Sequence, residues 1–145
     1  METSGTRLWL ILWKAHDTLM EHAMRHIRSL GVGYSDFGVL EVLLHKGPTP
    51  VNAIGRKVRL TSGSITAAVD RLEKKGLVER CGHPGDRRAR VVHLTATGRN
   101  LAETAFAAHE AAMERATSGL SPAERGEATE LLKKLGISAQ SMLAE

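Results

Sequence analysis

Residues 60–80 read LTSGSITAAVDRLEKKGLVER. Thr61 has the short, oxygen-bearing side chain of a helix N-cap, and Gly76 supplies the stop. Between them Ile65, Ala68, Val69 and Leu72 recur at helical spacing and make one apolar face. The opposite face carries Ser62, Gly63, Thr66, Ala67 and Asp70, with Ser64 and Arg71 at its edges. Side chains this small let a helix come close to a groove.

The flanking sequence completes the motif. Upstream, PVNAIGRKV (50–58) is a short helix with Thr49 as its expected cap, Pro50 in the first turn and Val51, Ile54 and Val58 facing inward. Two short helices with a tight link predict a helix-turn-helix. Downstream, LVERC (77–81) and ARVVHL (89–94) read as strands, and GHPGDRR between them carries a Pro-Gly turn signal. That pair is a hairpin, or wing.

Longer helices bracket this module. From Arg7 to Leu30, Leu8, Leu12, Ala15, Leu19, Ala23, Ile27 and Leu30 form one stripe, and Trp9, Trp13, Met20 and Met24 a second beside it. One small domain rarely covers both stripes, so a partner chain is expected against one of them. Gly31 and Gly33 end this helix, and Ser35 is expected to cap the next, which runs through Phe37 and Leu40 to Gly47. Thr95 caps a helix to about Thr117, and Ser121-Pro122 opens the last, which carries Leu131, Leu132, Leu135, Met142 and Leu143. The expected class is mainly α with a small β-hairpin wing: a winged helix-turn-helix at 35–94, an N-terminal helix at 1–34 for dimerisation and the pocket, and C-terminal dimerisation helices at 95–145.

Composition fits that layout. At 145 residues, 42% hydrophobic and 25% charged, the chain has the makings of one folded unit. The net charge is +4, yet residues 56–90 hold ten Lys/Arg against four Asp/Glu. A basic middle in a slightly acidic frame suits a polyanion. No apolar run approaches the roughly 20 residues of a membrane span. Cys81 is the only cysteine, which excludes a disulfide within the chain. A cytoplasmic protein is expected.

With these residues placed, the chain resembles the MarR family of bacterial transcription regulators over nearly its whole length. The resemblance is carried by LTSGSITAAVDRLEKKGLVER (60–80) and DRRARVVHLTATG (86–98). It implies a homodimeric winged-helix repressor that binds double-stranded DNA at a pseudo-palindromic operator and is released by a small ligand or oxidant. Two recognition helices of such a dimer enter successive major grooves about 34 Å apart. Ser62, Ser64, Thr66, Ala67 and Arg71 are the expected groove-facing residues, and Arg71 could meet either a guanine edge or a phosphate. The family pattern also implies that Arg88 enters the minor groove at the wing tip, held by Asp86, while Arg87 and Arg90 take phosphates or brace the wing.

Sensing is less local. LWLILWKAHDTLMEHAMRHI (8–27) and FGVLEVLLHKG (37–47) look most like a branch responding to quinones, catechols or similar aromatic compounds. The resemblance implies a pocket between the first two helices, the winged module and the helix after the wing, with Trp9, Trp13, His16, Met20, Phe37, Leu40 and Phe106 as its candidate lining. Ordinary core and dimer packing is the competing reading of the same residues. His22 and His26 lie four apart on one helix, with His16, His45 or His109 as distant partners, but no CxxC or HExxH accompanies them. No metal or other cofactor is therefore expected. Cys81 sits at the wing base rather than in the first helix, where the peroxide-sensing branch keeps its reactive thiol; it is either an inert strand residue or a thiol activated by Arg80 and His83. A thiol- or metal-responsive regulator of the same fold, or a non-specific architectural DNA-binding protein, are the alternatives. No nucleophile with its base and no Gly-rich phosphate loop is visible, so no enzyme is expected.

Overall fold

The computed structural model of the chain describes residues 3–83 and 86–144, the backbone alone at 83 and 86–89. The described residues form α1 (Gly5–Ser29), α2 (Tyr34–Lys46), β1 (Thr49–Pro50), α3 (Val51–Val58), α4 (Ser62–Lys74), β2 (Val78–His83), β3 (Asp86–Leu94), α5 (Ala96–Ala116) and α6 (Pro122–Met142). The chain is mainly helical, with a small antiparallel sheet ordered β1-β3-β2. No described helix is long and apolar enough to cross a membrane.

Four helix starts follow from their capping residues, Ser4 opening α1 by accepting from the Arg7 N–H. Thr61 accepts a hydrogen bond from the Ser64 N–H and Thr95 from the Gly98 N–H. Ser121 forms a reciprocal box with Glu124, each side chain bonded to the other's backbone N–H. Two expected caps are corrected. Ser35 does not cap α2: Gly33 is already extended and its carbonyl accepts the Phe37 N–H at 2.8 Å, so the helix begins at Tyr34. Thr49 does not cap α3 either. It pairs with Val92 as β1 while its hydroxyl donates to the Gly47 carbonyl, which leaves Pro50 as the N-cap rather than a first-turn residue.

The core lies inside the winged module. Val39, Leu40 and Leu43 of α2, Ile54 of α3, Ile65, Ala68, Val69 and Leu72 of α4, and Val78 and Val92 of the sheet are buried together. Burial of this size, at roughly 25 cal/mol per Å2 of apolar surface, is what fixes α4 against its neighbours. A second cluster of Ile27, Phe37 and Ala105 locks the C-terminal half of α1 to α2 and α5. Gly98 lets the first turn of α5 lie against the backbone of Leu77, where a Cβ would sit 1.8 Å from the carbonyl oxygen.

The outer helices are only half covered. Leu8, Trp9, Ile11 and Trp13 at the start of α1 are each more than half exposed, as are Leu131, Ile137 and Met142 of α6. None of the residues of α6 is buried. It is held to the body by Arg125, which bonds to Glu114 and to Thr117 of the α5 end.

Candidate nucleic-acid interface and adjoining cavity

The exposed side of α4 has the composition anticipated from its sequence. Ser62, Gly63, Ser64, Thr66, Ala67 and Asp70 are exposed, while Ile65, Ala68, Val69 and Leu72 point into the core. The hydroxyls are partly committed: Thr66 donates to the Ser62 carbonyl at 2.8 Å, and Thr61 donates to Ser64 Oγ at 3.0 Å. Each hydroxyl oxygen retains acceptor capacity beyond these bonds.

Arg71 sits differently from the expectation of a free groove-facing cation. Its guanidinium reaches back to α2 and donates from Nη2 to Asp36 Oδ1 at 2.8 Å, with Nε near both carboxylate oxygens. Asp36 is 4% exposed, so it draws the arginine toward the protein. The hydrogen bond to Asp36, and then its charge, hold the Arg71 pKa above its ordinary value. Half of the side chain remains exposed, enough for one edge to meet a phosphate.

Arg80 was given a role only as a neighbour of Cys81, yet it straps the wing to α4. Its Nη2 donates to Asp70 at 2.6 Å, Nη1 to Glu73 at 3.0 Å, and its backbone N–H also meets Glu73. Asp36 was missed as well. The signal for it was an acid in the first turn of a helix, which a helix dipole alone accounts for. Nothing local announced its partner 35 residues away.

The wing follows directly. β2 pairs with β3 from Val78↔Leu94 to Gly82↔Arg90, and a bulge between Gly82 and His83 precedes the His83↔Asp86 pair. Arg90 is exposed on β3. The side chains of Asp86, Arg87 and Arg88 lie outside the described residues. On the outer face of the hairpin Cys81 Sγ is 3.6 Å from His93 Nδ1, and His93 Nε2 is 3.1 Å from Glu79. Among the described residues no group of three or more His, Cys, Asp or Glu is placed to hold a metal ion.

Beside this module lies a cleft of about 400 Å3, within the range of small-molecule sites. Met20, Ala23 and Ile27 of α1, Phe37 and Glu41 of α2, His109 of α5 and the α3 end at Val58, Arg59 and Leu60 line it. Of the seven candidates, Met20 and Phe37 are in this lining. Trp9 and Trp13 are not: they stack on each other at 5.8 Å, 60% and 53% exposed, because the N-terminal half of α1 runs past the body of the domain. His16 is likewise exposed, 3.8 Å from Asp17. Leu40 belongs to the core, and Phe106 packs edge-on against His45 at 4.4 Å, both beyond the opposite side of Phe37 in a gap too tight for water.

A family model described as the MarR family matches residues 30–89, from the end of α1 to the wing. The HTH-type transcriptional regulator MhqR of Bacillus subtilis strain 168 is 38% identical over 140 residues, 97% of either chain. The chain belongs to the MarR family. Among solved MarR-like structures, Bordetella bronchiseptica BpsR, whose DNA binding is described as regulated by 6-hydroxynicotinic acid, superposes with a TM-score of 0.77 at 25% identity, covering 90% of this chain and 98% of that one. A cysteine-to-serine mutant of Escherichia coli MarR complexed with operator DNA shares the fold with a TM-score of 0.76 at 23% identity, over 88% and 92% of the two chains. As a MarR-family member the chain is a DNA-binding regulator of transcription and not an enzyme.

Proposed function

We propose that the chain is a homodimeric repressor that binds a pseudo-palindromic operator and releases it when a small aromatic or quinone-like molecule occupies the cleft beside α4. The observation that carries this reading is where the cleft sits. One wall belongs to α1 and α5 and the other to Val58, Arg59 and Leu60, the residues that lead into the recognition helix. An occupant that prefers a wider cleft shifts α4 relative to the long helices and so changes the spacing of two recognition helices in a dimer. Only a difference in affinity between the two spacings is required.

The exposed apolar residues of α1 and α6 support dimerisation, since both lie at the chain's outer helices and form faces that water would otherwise meet. On DNA, Ser62, Ser64, Thr66 and Ala67 are assigned to the major groove, Arg88 with Asp86 to the minor groove, and Arg71, Arg87 and Arg90 to phosphates. BpsR supports an aromatic effector of this general kind. Such a regulator works beside the chromosome in the cytoplasm.

Fluorescence anisotropy with a fragment of the chain's own promoter and with random DNA, at several salt concentrations, tests the DNA half. A specificity ratio near one would sink it. A panel of quinones, catechols and aromatic acids added to the operator complex tests the effector half, where release by none of them discards the aromatic class. Light scattering on Trp13→Glu and Leu135→Glu variants checks the dimer, which both substitutions are expected to weaken.

A further inference from the structure

We propose that His26 and His109 form a proton-operated latch beside the cleft, closed while the pair carries at most one proton beyond those of two neutral rings and opened when it takes a second. The proposal deepens the effector reading above, because it assigns a control to the same cleft.

His26 is on α1 and His109 on α5, 83 residues apart, and their Nδ1 atoms lie 3.1 Å from each other. At that distance one nitrogen must donate and the other accept. The neutral pair meets this requirement with one ring carrying its proton on Nδ1 and the other on Nε2. A single extra proton leaves it in place, since an imidazolium then donates to a neutral ring. Two extra protons destroy it: both Nδ1 atoms are donors, and two positive rings face each other with centroids 5.3 Å apart.

The pair borders the cleft through His109. His109 is one of its lining residues and packs edge-on against Phe37 at 5.0 Å. Phe37, Ile27 and Ala105 form the cluster that holds α1 to α2 and α5. Parting the two rings therefore loosens the wall that faces an effector.

The charges around the pair decide when it opens. Burial first, and the charge of His26 second, lower the pKa of His109 below its ordinary value of 6.5; Glu41 of α2 opposes them. On the side of His26 away from the cleft, a shallow hollow between α1 and α5 is lined by His22, Arg25, His26 and Arg115, while Lys57 and Arg59 face the cleft itself from the end of α3. Glu41 is the anion that lines the cleft, and Arg25 is itself paired with Glu21 one turn earlier on α1. A chain with the latch parted binds the second proton more readily than the closed form. The latch's stabilisation is complete above the ordinary histidine range and is lost as pH falls through the depressed value of His109.

The test uses the effector-free full-length protein. Imidazole 15N NMR is expected to show His109 titrating below the ordinary range in the wild type and moving up toward it in His26→Gln. Amide exchange, corrected for the intrinsic rate, is expected to show protection across residues 20–27 and 105–112 falling several-fold between about pH 7.5 and about pH 5.5. His109→Gln, whose amide keeps a neutral hydrogen bond to His26, is expected to lose less than about twofold. The latch is overturned if His109 titrates alike with and without His26, or if the pair is coupled but protection stays constant across the two pH values. Neither readout contains an effector or DNA, so failure of every aromatic compound to bind would sink the effector reading and leave these outcomes as they stand.

Discussion

Gly98→Ala is the substitution whose outcome is most constrained by geometry. A methyl group there would lie 1.8 Å from the Leu77 carbonyl oxygen and 2.7 Å from its carbonyl carbon. It falls about 1.6 Å short of the 3.4 Å at which contact becomes ordinary, and the obstacle is backbone, which has no rotamer to change. The same carbonyl accepts the Thr95 N–H at 3.1 Å, while Thr95 Oγ1 donates to Gly76 at 2.7 Å and caps Gly98 at 3.0 Å. Moving α5 outward strains all three bonds. Overpacking of about 1–3 kcal/mol together with loss of roughly 1 kcal/mol of capping gives about 2–4 kcal/mol. For a chain of this size that is a fall in Tm of roughly 5–15 °C, read by circular dichroism at fixed protein concentration because a dimer's Tm depends on it. Operator affinity should fall in parallel, since α5 packs against Leu77, the residue that leads into the wing. Gly126→Ala is the matched control: nothing lies within 4 Å of its added methyl, and a glycine inside a helix gains about 0.5–1 kcal/mol on becoming alanine. A Gly98→Ala protein melting within about 2 °C of the wild type would refute the packing reasoning.

Thr61→Ala removes the cap of α4 and should cost about 1 kcal/mol, largely restored by Thr61→Asp; equal stability of all three proteins in urea would show the cap to be idle. Arg80→Ala leaves Asp70 and Glu73 facing a polyanion without their strap, so operator Kd should rise about tenfold with the helical spectrum unchanged, and an unaltered Kd would count against the strap. Arg88→Ala should weaken operator binding by about tenfold or more while the dimer persists in light scattering; normal affinity would separate the wing tip from DNA. Hydrogen bonds from the Ser121 backbone first and its side chain second hold the Glu124 carboxyl below the ordinary carboxylate range, so the α6 cap is complete above that range and frays as pH falls through the depressed value. NMR signals of residues 121–125 should report this fraying in the wild type, whereas Glu124→Gln should show none of the pH dependence.

Helices and caps were legible in the sequence because their causes are local. The 3.6-residue recurrence of Ile65, Ala68, Val69 and Leu72 names a face of α4 whatever packs on it, and Thr61, Thr95 and Ser121 each bond within three residues of themselves. The two misplaced caps have different origins: Gly33 was already extended, and Thr49 was claimed by Val92 of a distant strand. A two-residue strand such as β1 has no period to read.

The cleft was only half legible for a related reason. An apolar stripe on α1 says that something covers it, not which residue meets what, so the sequence reading joined Met20 and Phe37, which line the cleft, with Trp9 and Trp13, which do not because the helix carries them past the domain. The amino-acid order by itself determined the succession of helices, the hairpin after the recognition helix and the basic middle, since all three rest on neighbours along the chain. The tertiary structure alone decided that Asp36 draws back Arg71, that Arg80 ties the wing to α4, and that His26 meets His109. Those partners lie from 7 to 83 residues apart, and no local pattern specifies a contact that exists only after the core has brought its elements together.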